Sequence, residues 1–372
     1  MNRRKFVTSA GMAGVAGLAA ACGKSGTHAA ACNGSIDGQT FQWKMVTSWP
    51  RDFPGLGTGA AKLAETIGLM SGGRLTVKVY GANELVPPFE VFDAVQRGTA
   101  EIGHAASYYW KGKVPSAQIF SGVPFGMTAQ ELNGWLYYGG GLKLWQEAYR
   151  PFGILPFPAG NSSMQMGGWF NREINSLADL QGLVMRIPGL GGEVLSRAGG
   201  TAVSMPGSEI FTALQTGTLD ATEWVGPYND QAFGLPKAAK YYYYPGWHEP
   251  GTMLEGIFNI KAFAALPDDL QHIVEAACQA ANMDMLSEFT ARNGEALARM
   301  RENGVNLRSF PDDVMQALDR ISGQVLEELA AEDAMSARVL ESFNDYFSTV
   351  RGWTEVSEKY YLGQRRAAAQ LP

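Results

Sequence analysis

The sequence predicts an α/β fold in two lobes, braced by one long helix and followed by a helical C-terminal extension. From Phe41 onward, strand-like and helix-like runs alternate. The segment Phe92–Glu101 returns as Phe211–Asp220 at a constant offset of 119, with Phe, Ala, Gln, Gly and Thr at matching positions. Pro267-Asp268-Asp269 opens an apolar-periodic run that Gly304 can stop, and an early proline with acids in the first turn is a strong helix start. A chain of 372 residues is long enough for two cores.

The first 31 residues read as a leader outside the fold. Asn2-Arg3-Arg4-Lys5-Phe6-Val7 is a twin-arginine pattern, and the Gly/Ala-rich stretch to Ala21 is too short and too weakly apolar to span a membrane. Export to the periplasm by the twin-arginine route is expected. Leu18-Ala19-Ala20-Ala21-Cys22 lies near a lipoprotein box, but its leucine stands one position too far from the cysteine. A lipid anchor at Cys22 and cleavage near Ala31 both stay open. Residues 32–40 are small and polar, a linker.

Phe41–Thr47 and Leu75–Tyr80 read as strands and Leu63–Met70 as helix. Each copy of the repeated segment reads as a short helix ending in Gln-x-Gly-Thr and then a strand, its glycine suited to a left-handed C-cap. One copy per lobe would bring both strand ends, with His104 and Glu223 at equivalent positions, to a shared cleft. Lobe 1 is expected to comprise residues 41–163 with about 252–290, and lobe 2 residues 164–251 with about 291–345. The helix from Pro267 can run to Asn303, roughly 55 Å at 1.5 Å per residue. Pro311-Asp312-Asp313 repeats the start signal, and helical pattern continues through a tail at 346–372.

The formal net charge is −6; deleting residues 1–31 removes Arg3, Arg4, Lys5 and Lys24 and no acid, which takes −6 to −10. An acidic body without a basic run excludes a nucleic-acid partner. Of Cys22, Cys32 and Cys278 only the last lies in the body, so one chain can build neither a disulfide framework nor a zinc cluster. Cys278 falls on a helical apolar stripe, as a core residue does.

Arg186 closes the apolar run Gly182–Ile187, where a lone guanidinium is costly to bury unless it meets an anion. A ligand carboxylate and an internal Asp or Glu both qualify. The turn Pro188–Glu193 then opens a helix, whose free N–H groups favour an anion. Gly189-Leu190-Gly191-Gly192 is no dinucleotide fingerprint, since the sixth position is Val194. Glu223 and Glu249 each sit at a turn after an apolar or aromatic stretch. They are either ordinary surface acids or a pair entering one cleft, where they would repel unless a cation or a shared proton joined them. Oxygen donors suit a hard ion such as Na⁺ or Ca²⁺. Gln165 can add an amide oxygen and Trp224 its backbone carbonyl. Two glutamates and a ligand carboxylate against Arg186 and a divalent ion balance in charge, which leans toward Ca²⁺. Tyr109, ahead of Tyr108, can donate its hydroxyl to a ligand, the Trp224 ring can stack on an aliphatic chain, and Asn229 and Asn161 can add polar contacts. His104 and His248 suit supporting hydrogen bonds, and His272 suits solvent. Trp135, Trp145 and Trp169 read as packing residues, and Tyr241–Tyr244 as a half-buried strand. No Ser-His-Asp or Cys-His arrangement stands out.

The Arg186 run, the glycine turn after it, Thr222–Pro227 and Pro245–Pro250, in that order, resemble the solute-binding subunits of tripartite ATP-independent periplasmic (TRAP) transporters. Among these they are most similar to the 2-oxo-acid-binding branch, and the resemblance runs from about Phe41 to about Leu362. It implies a two-lobed periplasmic-binding-protein-like fold that closes on a small 2-oxo or 2-hydroxy monocarboxylate. Arg186 would clamp the carboxylate, and Gln165, Glu223, Trp224 and Glu249 would hold the cation. It also implies delivery to integral membrane permease subunits, and a homodimer formed through exchanged tails. A sensory receptor would present the same bound state. The competing reading is a metal-dependent lyase or hydrolase with Glu223 as general base; the lack of a histidine-rich or cysteine ligand set counts against it.

Overall fold

The computed structural model describes residues 38–365. The leader, Cys22, the linker through residue 37 and residues 366–372 lie outside them. The first stretch carries β1 (Phe41–Thr47), α1 (Leu56–Met70), β2 (Leu75–Tyr80), α2 (Val91–Gln96), β3 (Ile102–Ala105), α3 (Ala117–Ser121), α4 (Ala129–Tyr138), α5 (Gly141–Tyr149) and β4 (Ile154–Asn161). Then come β5 (Gly168–Phe170), β6 (Val184–Arg186), α6 (Gly189–Arg197), β7 (Thr201–Val203), α7 (Gly207–Gln215), β8 (Ala221–Thr222), α8 (Pro227–Ala232) and β9 (Tyr241–Tyr244). The chain ends in β10 (Met253–Asn259), α9 (Ile260–Ala264), α10 (Asp268–Glu302), β11 (Asn306–Ser309), α11 (Asp312–Glu332), α12 (Ala334–Thr354), a π-helical turn and α13 (Tyr360–Gln364).

Two sheets define the two lobes. The first has the order β2-β1-β3-β10-β4, with β1 parallel to β2 and β3, and β10 antiparallel to both its neighbours. The second has the order β11-β9-β5-β8-β6-β7, in which β5 alone runs antiparallel to its neighbours β8 and β9. The repeated segment is split between them: α2 leads to β3 in the first sheet and α7 to β8 in the second. Gly98 and Gly217 take φ of 73° and 77°, the left-handed cap their position requires.

The long helix is unbroken over 35 residues. Its middle residues Met285 and Phe289 join an apolar cluster that draws Trp49, Phe53 and Leu56 from the first lobe and Trp169, Ile210 and Trp224 from the second. A rod packed into both lobes through one cluster braces them. Helix α1 begins earlier than expected, at Leu56, because its first turns bury Leu56 and Ala60. Cys278, Trp135, Trp145 and Trp169 are buried, His272 is exposed, and β9 is buried only in its middle. Helix α12 lies along α4 and α5, with Trp135 Nε1 donating to Ser342 Oγ at 3.1 Å and Arg338 paired with Glu147. From its last turn onward, Trp353, Val356, Tyr360 and Tyr361 are each about two-thirds exposed. No helix of the described residues is long and apolar enough to cross a membrane.

Two acids are buried in the lobe cores. Glu255 on β10 accepts hydrogen bonds from Trp110 Nε1 and, at 2.9 Å, Tyr149 Oη. Burial pushes its carboxyl up to about 8 despite those bonds. Asp230 on α8 accepts from Tyr242 Oη at 2.7 Å and Trp169 Nε1 at 2.9 Å, and burial pushes it up to about 7.

Candidate functional site

Arg186 ends β6 and Glu223 follows β8, its parallel neighbour, so both side chains start at strand carboxyl ends. The Glu223 amide donates to the Arg186 carbonyl at 3.1 Å, which fixes their spacing. The chain leaves Arg186 through Pro188 and Gly189. Gly189 has φ of 62°, and a Cβ there would meet Tyr108 at 3.1 Å, so glycine lets this turn close on the first lobe. The third wall is the loop after β9. Gly246 N donates to Gln165 O at 3.0 Å, Gln165 N to Glu249 O at 3.3 Å and Met166 N to Val225 O at 2.9 Å. These bonds lace Gln165, Glu249 and the segment after Glu223 together.

The guanidinium of Arg186 is 1% exposed and ion-paired with Glu223 through Nη1. This is the internal carboxylate that the sequence left open as the alternative anion. Arg186 Nε reaches Met205 O at 3.4 Å, its guanidinium carbon lies 5.2 Å from the centroid of the Trp224 ring, and Nη2 has no partner. Glu249 accepts from Gln165 Nε2 at 2.7 Å and from the Thr252 hydroxyl. Burial, reinforced by the negative Glu223, pushes its carboxyl up to about 7. Both glutamates are therefore interior residues, not surface acids, and only Glu223 has a guanidinium partner.

A small pocket here has polar lining from Ser162, Gln165 and Thr252, apolar lining from Trp49, Leu56, Val225 and Leu254, and the rings of Tyr108, Tyr109 and Trp224. Burial raises both phenols, so they stand as hydrogen donors. Asn229 is buried elsewhere in the closure: its Nδ2 donates to Pro54 O at 2.8 Å, tying α8 to the turn before α1. Asn161 accepts from Ser163 N at 2.8 Å in its own loop and donates its Nδ2 to Gly251 O at 3.4 Å. His104 supports the wall: Trp49 Nε1 donates to its Nδ1 at 2.8 Å and its Nε2 lies 3.2 Å from Ala159 O.

Whether the residues fit a cation can be read from unsatisfied atoms. Gln165 Oε1, Arg186 Nη2, Trp224 Nε1 and His248 Nδ1 are buried without partners. One free acceptor oxygen stands with two carboxylates, and a free guanidinium nitrogen stands nearby. That set fits a cation and an anionic ligand together. Donor atoms of Glu223, His248 and Glu249 lie within 4.8 Å of one another. Sequence reasoning gave His248 only a supporting role and missed Ser162, Thr252, Trp49, Leu56 and Leu254 as walls. The neighbour Glu249 was a signal for His248; nothing local distinguishes the others.

Comparisons with known proteins show the family. Residues 45–333 match the family described as bacterial extracellular solute-binding protein, family 7. A Nostoc sp. protein described as a monocarboxylate 2-oxoacid-binding periplasmic protein is 43% identical over 363 residues, covering 97% of this chain and 98% of that one. A TRAP periplasmic solute-binding protein from Colwellia psychrerythraea, solved with bound calcium and pyruvate, is 45% identical with a TM-score of 0.86, covering 88% of this chain and 100% of that one. One from Pseudoalteromonas atlantica, solved with sodium and pyruvate, is 43% identical with a TM-score of 0.86 and the same coverage. The lyase or hydrolase reading falls with these matches, because the family consists of transport receptors without catalysis. The chain belongs to the DctP-type solute-binding proteins, the periplasmic receptors of TRAP transporters, in the 2-oxo-acid and monocarboxylate branch.

Proposed function

We propose that the cleft binds a short 2-oxo or 2-hydroxy monocarboxylate, such as pyruvate, together with Ca²⁺ or Na⁺, and offers the closed form to integral membrane permease subunits. The observation that carries this is a pair of buried atoms without partners: Arg186 Nη2, on the residue paired with Glu223, for the carboxylate, and Gln165 Oε1, on the residue bonded to Glu249, for the cation. Arg186 grips the carboxylate with its planar fork, and Tyr109 and Tyr108 donate hydroxyls. Gln165, Glu223, Glu249 and the Trp224 carbonyl hold the cation, which would bind the carboxylate and 2-oxo oxygens of the solute in a five-membered chelate. Trp224 walls the aliphatic side, and Asn229 holds α8 in place rather than the solute. The calcium and sodium bound with pyruvate in the two relatives support both ions.

The division of strands between the sheets supports the lobe boundaries at 41–163 with 252–290 and at 164–251 with 291 onward, whereas residues 334–345, proposed from the sequence as part of the second lobe, pack on α4 and α5 of the first. A second copy is the proposed cover for the exposed Trp353, Val356, Tyr360 and Tyr361. The twin-arginine leader is the proposed export signal, with Cys22 a tether if lipidated.

Calorimetry of pyruvate into chelator-treated protein with Ca²⁺, with Na⁺ and with neither tests the central reading. Heat that appears only with an ion supports the joint site. Binding indifferent to ions removes the cation, and no binding in any arm refutes the solute class.

A further inference from the structure

His248 is the buried polar residue that the 2-oxo-acid reading leaves unused. It is 1% exposed. Its Nδ1 has no hydrogen-bond partner, and its Nε2 stands 3.4 Å from Glu223 Oε2, longer than a good N–H···O bond. Either tautomer is deficient. With the hydrogen on Nε2, a buried lone pair at Nδ1 meets no donor. With it on Nδ1, a buried N–H meets no acceptor and the Nε2 lone pair faces a carboxylate oxygen. A cation shared by imidazole and carboxylate would satisfy the Nε2 lone pair of the second arrangement and remove its clash with the carboxylate oxygen. Buried polar groups are otherwise almost always paired.

The backbone brings the ring to this place. His248 lies in the loop after β9, beside Glu249, and packs on the first turn of α6. A Cβ at Gly191 would come within 2.8 Å of His248 Cβ, so the glycine-rich turn after Arg186 makes room for the histidine. One donor atom from each of Glu223, His248 and Glu249 falls inside a 4.8 Å span, with Gln165 Oε1 unpartnered in the same pocket region.

Ligand chemistry gives this grouping its meaning. Hard ions such as Na⁺ and Ca²⁺ take oxygen donors, whereas imidazole suits first-row divalent ions, for which donor type sets the preference. We propose that His248 offers a ring nitrogen to the cation of this site, so that the cleft accepts a divalent transition ion, of the Mn²⁺ or Zn²⁺ class, as well as a hard ion. The proposal rests on the cation reading above and extends it to the choice of ion. The receptor would then take its acid together with a transition ion where one is available.

The test uses the full chain freed of metal by chelation, with Co²⁺ as probe because its visible absorption reports nitrogen ligation. The unmodified protein should show saturable visible bands. His248→Gln should lower Co²⁺ affinity about tenfold or more while changing Ca²⁺ affinity by less than about threefold. Equal Co²⁺ affinities in the two proteins, or Ca²⁺ binding without Co²⁺ binding in the unmodified one, would overturn the proposal. Pulsed electron paramagnetic resonance of Mn²⁺ in the unmodified protein needs no variant: nitrogen coupling from a bound imidazole is expected, and its absence counts against His248. Pyruvate forms a separate arm. Its failure to bind with any ion would refute the solute reading while the Co²⁺ and Mn²⁺ spectra still decide the role of His248.

Discussion

At the scale of single residues, the site is built on exchangeable electrostatic partners. Arg186 holds Glu223, and Glu223 also faces His248. On the proposed reading, a solute carboxylate and a cation would replace these contacts when the ligand binds. Arg186→Ala removes both functions. Carboxylate binding should be lost in calorimetry, and the ligand-free protein should weaken by about 3 kcal/mol in a denaturant melt, because Glu223 is left buried and unpaired. Near-native affinity in that variant would refute the clamp. Glu223→Gln keeps an oxygen for Arg186 and removes a charge. It should weaken cation-dependent binding by at least about tenfold and lower the ligand-free melting temperature less than Arg186→Ala does, because the amide oxygen still accepts from the guanidinium. A large drop in that temperature would mark Glu223 as structural.

At the scale of elements, the strands place the chemistry and the helices resist change. β10 illustrates the first point. It carries Leu254 on the pocket wall and Glu255 in the core of the same lobe. The folded carboxyl of Glu255 is raised to about 8, above the ordinary carboxylate range of an unfolded chain. Its contribution to stability is therefore complete below about pH 4 and is lost as pH rises through about 8. Replacing it by Gln should flatten the fall in melting temperature between pH 5 and 8. An unchanged pH slope would show that Glu255 ionises normally in the fold. Helix α10 illustrates the second: Phe289→Ala opens a cavity in the cluster shared by both lobes and should cost about 3–5 kcal/mol. A loss below 1 kcal/mol in chemical denaturation would mean that the cluster collapses to fill the space.

Much of this was legible before any coordinates. Pro267 and Gly304 bracket α10 because proline and glycine act locally, whatever the fold around them. Arg186, Glu223 and Glu249 were legible because charge in apolar surroundings needs an explanation. The start of α1 was not, because its N-cap is Gly55, which has no side chain to signal it, and burial of Leu56 sets it. Ser162 and Thr252 were not, because their role arises only when residues 90 positions apart are laced together.

At the scale of the whole molecule, two surfaces have different tasks: a sealed cleft between sheets, and an apolar tail standing off α4. Removing residues 353–372 deletes most of the apolar stripe and leaves the cleft residues untouched. Light scattering should then report a monomer that still binds pyruvate with its ion. A truncated dimer would place the subunit contact elsewhere. Across the cleft, Trp49, just after β1, stands edge-on to Trp224, just after β8, with ring centroids 6.4 Å apart. Two indoles at that distance share their excited states, so the shut cleft carries its own optical signature. An exciton couplet in circular dichroism should grow as the lobes close and fade as they part, which lets the motion be timed in the unlabelled protein.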